Sequence, residues 1–245
     1  MISKRTQNMK KVYALILVPL LGLSGKNLDK KIYKTINNKV IYELPANNMY
    51  VVESGMAIDA DGSPRAYHPN SSLALDYLAN AGKPGNWWAL EVNKNGTPII
   101  QTEGDPAPGF YISKTSLLYP NKKSSDPGRY INSETVPFIA VPGGFAKDFG
   151  TGDIAMVINK KNGRQAYAIV ADVGPRDKIG EGSIFLAKTL GVMGTPKKGG
   201  AAGSILYIFI KNSGNKLPLD NREINKKGNE MLPKELADQI LAAFP

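Results

Sequence analysis

A buried strand that ends in an acid and a Gly-Pro pair constrains the fold of this chain more than any other feature. Residues 165–191 read QAYAIVADVGPRDKIGEGSIFLAKTLG. From residue 166 to residue 171 apolar side chains occupy both alternating sets of positions, which predicts a strand that is covered on both faces. Asp172 follows, and Gly174-Pro175 cannot continue the hydrogen-bond ladder, so the acid lies where the backbone leaves the core.

A second carboxylate, Glu181, follows in the loop between two glycines that leave its surroundings open. Ser183 has the position of an N-cap for a short helix over residues 184–190, and Gly191 ends that helix. Two carboxylates on the rim of one strand, loop and helix can act as an acid and a base. The alternative is that both are loop acids paired with neighbouring cations, and spacing alone favours it; the candidate cations are Arg176, Lys178 and Lys188.

The same stretch resembles the core motif of glycoside hydrolase family 75, whose members are chitosanases. By motif, the catalytic Asp and Glu of that family correspond to Asp172 and Glu181, and this resemblance reverses the preference for simple loop acids. Further segments within residues 51–210 resemble the family in the same order: IDADGSPRAYHP, LDYLANAGKPGNWWAL, DPAPGFYISKTSL, RYINSETVPFIAVP and GDIAMV. The strand-Asp-x-Gly-Pro pattern is also similar to the double-psi β-barrel of expansins and of lytic transglycosylases of the rare lipoprotein A type.

Short strands separated by Gly and Pro are predicted along the rest of the chain, and helical patterns are few. The predicted strands cover residues 51–52, 87–92, 98–101, 109–113, 138–141, 154–158, 167–173 and 205–210. Helices are predicted at residues 73–81, at 183–190 and near the C-terminus. Many short strands at this spacing predict a barrel or a sandwich. The resemblance narrows the expectation to a mainly β fold with a six-stranded double-psi β-barrel-like core and a few short helices.

The N-terminus has the pattern of a secretory signal peptide. Basic residues precede an apolar run of about a dozen residues, which is too short for an ordinary membrane span. We therefore predict a signal peptide at residues 1–25, secretion to the cell exterior or periplasm, and no stable membrane insertion; an uncleaved anchor is the alternative. Residues 26–49 are expected to be a linker leading into a first strand, 50–211 a catalytic domain, and 212–245 an extension with an amphipathic helix at 233–244.

The charge distribution limits the possible partners. The formal net charge is +10, but residues 51–210 hold sixteen bases and fourteen acids, so the body is nearly neutral. Lys and Arg are scattered without a basic helix or a nucleic-acid-binding motif, so no nucleic-acid partner is expected. Net basicity conflicts with a polycationic substrate such as chitosan unless acids cluster locally around Asp172 and Glu181. We expect a monomer.

The sequence offers few residues for metal or nucleophile chemistry. It contains no cysteine, which removes disulfides, thiolate metal sites and cysteine nucleophiles together. His68 is the single histidine, and it is predicted to form structural hydrogen bonds, with a polar contact to sugar as the alternative. Hydrolysis by two carboxylates needs no metal, and no cofactor is expected.

Four further residues are candidates for substrate contact. Asp59 and Asp61 lie in a D-x-D-G sequence that fails the EF-hand spacing, because Asn70 stands at the twelfth position. A turn closed by Asx hydrogen bonds is the alternative for this pair, and binding of glucosamine ammonium groups is the functional interpretation. Of the adjacent tryptophans one should be core and the other a sugar platform, with Trp88 our candidate. Glu134 precedes a strand, either near the barrel mouth or as a surface acid.

The resemblance implies an inverting mechanism, in which one carboxylic acid protonates the leaving oxygen and the other carboxylate activates water. Such pairs lie roughly 6.5–9.5 Å apart. Burial favours Asp172 as the acid and a helix N-terminus favours Glu181 as the base, whereas other chitosanase families use Glu as donor and Asp as base. The rival functions are a peptidoglycan lytic transglycosylase, which needs one acid, and an expansin-like module that binds polysaccharide without cleaving it.

Overall fold

The structure is a computed structural model that describes residues 28–145, 148, 150–175 and 177–245. The predicted signal peptide lies outside these residues. Within them the strands are β1 (Lys31–Ile36), β2 (Lys39–Leu44), β3 (Met49–Asp59), β4 (Gly82–Lys83), β5 (Asn86–Trp87), β6 (Phe138–Pro142), β7 (Ile154–Asn159), β8 (Arg164–Gly174), β9 (Glu181–Ser183), β10 (Gly194–Thr195), β11 (Lys198–Gly199) and β12 (Ala201–Ile210). The helices are α1 (Ile184–Thr189), α2 (Asn221–Met231) and α3 (Lys234–Ala243).

Six strands close into a barrel in the order β3-β12-β7-β8-β6-β9, with β9 pairing back onto β3. The β3–β9 and β6–β8 pairs are parallel and the other four pairs are antiparallel. The first three barrel strands correspond to the last three: β3 to β8, β6 to β9 and β7 to β12. When each strand is exchanged with its counterpart, the same strands remain neighbours, and the two parallel pairs change places. That internal two-fold pattern agrees with a double-psi barrel, and the predicted mainly β fold with a six-stranded barrel is confirmed.

The barrel interior is filled by alternate side chains of its strands, as a small closed barrel requires. Ile139, Val141 and Val170 pack there with Ile58, and all are buried. The opposite faces of β7, β8 and β12 are also covered, by residues of the C-terminal helices. Coverage on both sides explains why the sequence from 166 to 171 is apolar at every position.

A long insertion, residues 60–137, separates β3 from β6 and forms one wall of the cleft described below. It contains the short strands β4 and β5, isolated bridges such as Leu90–Ser113 and Ile100–Tyr111, and two turns of 3-10 helix. Longer strands were predicted at 87–92, 98–101 and 109–113, and the structure has mostly isolated bridges there. Polar side chains hold this wall in place of a ladder: Gln101 donates to the Pro64 carbonyl at 2.6 Å and accepts from the Ala107 amide at 3.1 Å.

The predicted helix at residues 73–81 is wrong. Only Leu78–Asn80 form a turn of 3-10 helix. The carboxylate of Asp76 accepts hydrogen bonds from the Tyr77 amide at 2.7 Å and from Asn80 Nδ2 at 2.9 Å. Local side-chain hydrogen bonds of this kind compete with a helical ladder.

Residues 28–49 and the C-terminal extension are more structured than the sequence suggested. Within residues 26–49, where a linker was expected, β1 and β2 form a hairpin that extends the sheet from β3. The helix predicted at 233–244 is present as α3, with Pro233 at its N-cap. The sequence did not predict α2, whose Gly228 lies against the Tyr167 ring so closely that an added Cβ would sit 2.3 Å from a ring carbon. The chain end also contacts the barrel, since Lys160 donates to the Pro245 carbonyl at 2.7 Å.

Across the described residues, no helix is both long enough and apolar enough to cross a membrane.

Candidate active site

Four residues form a row across neighbouring strands on the outer face of the barrel. Asp172 on β8 pairs with Ala140 on β6, Ala140 pairs with Glu181 on β9, and Glu181 pairs with Ala57 on β3. Directly paired residues point to the same side of a sheet. The two acids therefore face the same way, with the methyl group of Ala140 between them.

A β-bulge sets the direction of Asp172. The register shifts between β6 and β8, where Ile139 pairs with Val170 but Ala140 pairs with Asp172, so Ala171 is an extra residue. In a regular strand without this bulge Asp172 would share the parity of Val170, which faces the barrel interior. The bulge turns the acid to the outer face, as bulges beside active sites often do.

The strand positions fix the spacing of the two acids. Asp172 and Glu181 lie one strand on either side of Ala140. At about 4.8 Å between neighbouring strands, their Cα atoms are roughly 10 Å apart. This spacing is compatible with the carboxyl separation of inverting glycosidases. The small Ala140 side chain leaves the space between the two acids open.

Asp172 is almost completely enclosed. The residue is 9% exposed, and its Oδ1 accepts hydrogen bonds from the Ser116 amide at 2.9 Å, the Ser116 hydroxyl at 2.7 Å and the Val173 amide at 2.8 Å. Burial raises the pKa of Asp172 to about 6; these hydrogen bonds oppose the rise and the charge of Glu181 adds to it. At mildly acidic pH Asp172 can therefore carry a proton.

Glu181 has a different environment. Its Oε1 accepts from Lys178 Nζ at 3.0 Å, so the expected pairing of a loop acid with a cation exists here. Of the other two candidate cations, Arg176 lies outside the described residues, and Lys188 is in the last turn of α1. Gly180 carries the chain past Gly55 with a φ of +101°, where an added Cβ would lie 2.4 Å from the Gly55 carbonyl oxygen. A glycine is thus needed to bring Glu181 to this position.

Asp59 and Asp61 meet Asp172 in the cleft. Asp59 Oδ1 accepts from the Asp61 amide at 2.7 Å, so the Asx turn considered from the sequence is present. Asp61 Oδ1 accepts from the Tyr67 hydroxyl at 2.7 Å. Burial raises the pKa of Asp59 and of Asp61 well above the usual range, and neighbouring carboxylates, Glu181 and Asp172 among them, add to both shifts.

Three carboxylates share this part of the cleft. Asp59, Asp61 and Asp172 each place one oxygen within 4.8 Å of the others. Three ionised groups at this distance repel one another strongly, and either a shared proton or a cation would relieve the repulsion. Such oxygen donors suit a hard cation such as Mg²⁺ or Ca²⁺. Of the acids and histidines that the structure describes, these are the ones that could hold a metal ion.

The remaining predicted residues are placed as follows. Trp88 is 56% exposed, lines the cleft and donates from Nε1 to the Asn80 carbonyl at 2.8 Å, whereas Trp87 packs against the apolar cluster of the insertion. Glu134 is not among the described residues that line the cleft. Its carboxylate forms an ion pair with Arg65 and accepts from the Ser63 hydroxyl at 2.6 Å. His68 Nδ1 accepts from the Asn70 amide at 2.9 Å, which is a structural contact.

These residues line a cleft of about 880 Å³ between the outer face of the barrel and the insertion. Among its described lining residues, six acids outnumber three cations: Asp59, Asp61, Asp76, Glu91, Asp172 and Glu181 against Lys114, Arg129 and Lys178. Acidic side chains thus outnumber basic ones in the cleft although the chain as a whole is basic. Sequence reasoning missed Asp76, Glu91 and Ser116. Asp76 and Ser116 lie within segments that resemble the family and Glu91 follows one of them, but no periodicity or spacing distinguishes these residues from their neighbours.

The chain matches none of the known protein-family models, and a search of curated protein sequences also finds no match.

Proposed function

We propose that this protein is a glycoside hydrolase that cleaves β-1,4 linkages within chitosan chains, with Asp172 and Glu181 as the catalytic pair. The observation that carries the proposal is the row of paired residues, in which both acids face an acidic cleft with only Ala140 between them. Two carboxyl groups on either side of an open space are the minimal equipment for glycosidic hydrolysis. The family resemblance of residues 51–210 supports the same conclusion.

The environments of the two acids support different roles. Asp172 is buried and has a pKa of about 6, so it holds a proton that it can donate to the leaving glycosidic oxygen. Its three hydrogen-bond donors all meet Oδ1, so Oδ2 is the oxygen that carries this proton. Glu181 is the other carboxyl group of the row and accepts from Lys178 Nζ at 3.0 Å, and we assign it the role of base.

The proposed reaction proceeds in one step with balanced proton transfers. Asp172 gives its proton to the glycosidic oxygen as the bond to the anomeric carbon breaks. Glu181 takes a proton from a water molecule, whose oxygen attacks that carbon from the opposite side. The product is a sugar of inverted anomeric configuration, and solvent later returns the two carboxyl groups to their starting states.

The acidic cleft supports a cationic polysaccharide as substrate. Each glucosamine unit carries an ammonium group, and the acidic side chains that outnumber basic ones in the cleft can accept hydrogen bonds from such groups. Trp88 offers an exposed ring for stacking against a sugar face. A secreted or periplasmic location, expected from the N-terminal sequence, would bring the protein to such a polymer.

The test is release of reducing ends from soluble, highly deacetylated chitosan by the purified protein. We expect activity in the parent and a loss of activity in Asp172→Asn and in Glu181→Gln, with circular dichroism showing that both remain folded. Asp177→Asn is the matched control, because this exposed acid lies in the same loop. Anhydro-sugar products from peptidoglycan would instead indicate a lytic transglycosylase, and binding of chitosan without new reducing ends would indicate a binding module.

A further inference from the structure

The hairpin of β10 and β11 stands at the cleft, immediately before barrel strand β12. Its two strands approach closely, since an added Cβ on Gly194 would lie 2.3 Å from the Gly199 Cα. The Gly200 amide donates to the Met193 carbonyl at 2.9 Å and closes the base of the hairpin. Pro196, at its tip, lines the cleft. A tight hairpin fixed to the barrel thus reaches the cleft.

Lys197, next to Pro196, reaches from this hairpin to the insertion. Its ammonium group donates to the Ser71 carbonyl at 2.5 Å and to the Ala74 carbonyl at 2.6 Å. The same nitrogen lies 5.6 Å from the centre of the Tyr77 ring. These partners lie on both sides of Asp76 in the chain and before Asn80, and Asp76 and Asn80 line the cleft. One side chain therefore joins the barrel side of the cleft to the insertion.

The partners of Lys197 form a binding site for a primary ammonium group. Two carbonyl oxygens accept its N–H donors, and an aromatic face attracts its charge. All three partners are uncharged, so the site recognises the ammonium group without an ion pair that would hold this particular lysine. A glucosamine unit carries the same primary ammonium group and could make the same contacts.

We propose that the Ser71 and Ala74 carbonyls with the Tyr77 ring form an ammonium-binding subsite beside the cleft, which Lys197 occupies until a glucosamine unit of a long chain that extends past the cleft displaces it. The proposal rests on the proposed function, because it assigns a further contact to the same substrate. A short oligosaccharide bound near Asp172 and Glu181 leaves Lys197 in place. A longer chain must cross the bridge, and its own ammonium group then replaces that of Lys197.

The kinetic test compares Lys197→Met with Lys198→Met. Both variants remove one charge from the same hairpin, but Lys198 is exposed and lies on β11. Vacating the subsite should lower KM for chitosan polymer at least threefold in Lys197→Met with kcat unchanged, and leave KM for a chitosan trimer as in the parent. Equal effects of the two variants, or a raised KM for polymer in Lys197→Met, would overturn the proposal.

A second measurement does not depend on hydrolysis. Release of the bridge in Lys197→Met should speed amide hydrogen exchange of residues 71–77, and free glucosamine should restore protection whereas glucose should not. Restored protection in a protein that does not cleave chitosan would support the subsite and refute only the proposed function. Exchange that responds equally to the two sugars, or does not change in the variant, would overturn the subsite whether or not the protein is a chitosanase.

Discussion

The barrel wall of the cleft is regular sheet, whereas the insertion wall is irregular chain held by side-chain hydrogen bonds. The barrel wall carries Asp172 and Glu181 at positions fixed by strand pairing on both sides of Ala140. The insertion wall carries Trp88, and the insertion holds the Tyr77 ring beside the cleft; both positions depend on local turns. Reacting groups need positions accurate to a fraction of an ångström, while sugar contacts tolerate adjustment. The comparison therefore predicts chemistry on the barrel wall and substrate binding on the insertion wall.

The largest effect is expected from the barrel wall. Asp172→Asn and Glu181→Gln should each lower kcat for chitosan by about 10² to 10⁴, the usual contribution of a general acid or base. KM should change little, since neither group is needed to hold the polymer. Steady-state kinetics of the folded variants provide the measurement. A variant that raises KM and keeps kcat would place that acid among the binding groups and break the comparison.

The pH dependence of activity should report the barrel-wall acid. Because Asp172 must be protonated to donate, kcat/KM should fall about tenfold for each pH unit above its pKa, which is about 6. Ser116→Ala removes a hydrogen bond that favours the ionised form of Asp172. The descending limb of the pH profile should therefore move to higher pH in this variant. A limb that stays in place in Ser116→Ala would show that another group supplies the proton.

The buried acids should also make the folded state less stable as the pH rises. The pKa of Asp172 is raised from 3.8 to about 6 on folding, so its contribution to stability is fully present below pH 3.8 and is lost as the pH rises through about 6. A shift of this size corresponds to a decrease on the order of 3 kcal/mol in the free energy of unfolding from low to high pH. Urea unfolding of the parent and of Asp172→Asn at pH 4.5 and pH 8 measures it.

In that experiment the stability of the parent relative to Asp172→Asn should be greater at pH 4.5 than at pH 8. Taking the difference removes the contribution of acids elsewhere, such as Glu134, whose pKa is lowered because hydrogen bonds from Arg65 and Ser63 outweigh the effect of burial. A difference that does not vary with pH would mean that Asp172 is not desolvated in the folded protein.

A smaller effect is expected from the insertion wall. Trp88→Ala should raise KM for chitosan about tenfold, which corresponds to roughly 1.4 kcal/mol, through loss of ring stacking. The kcat value should stay near that of the parent, because the ring does not contact the reacting bond. Trp88→Phe retains an aromatic face and should recover most of the affinity. A fall in kcat with an unchanged KM would assign the insertion wall a part in the chemistry.

The same comparison explains how much could be predicted from sequence. Strand β8, helix α1 with its Ser183 cap, and the pair Asp172 and Glu181 follow from apolar runs and motif positions that are local in the chain. The bulge at Ala171 does not follow, because it exists only relative to the partner strand β6. Helix α2 was not predicted. Glycine has a low helix propensity, and the Tyr167 ring against which Gly228 packs lies far away in sequence. The insertion shows no hydrophobic periodicity, because side-chain hydrogen bonds such as those of Gln101 hold it instead of a regular ladder.

Removal of metal ions should have the smallest effect, and it tests how the two walls meet. Asp172 comes from the barrel wall and Asp61 from the insertion, and with Asp59 their oxygens lie within 4.8 Å of one another. A shared proton relieves their repulsion at mildly acidic pH, so activity and Tm at pH 5.5 should be unchanged by EDTA. A fall in both that added Mg²⁺ or Ca²⁺ reverses would show that a cation joins the walls. The proton that Asp172 donates would then have to come from elsewhere, because a carboxylate bound to a cation is a poor acid.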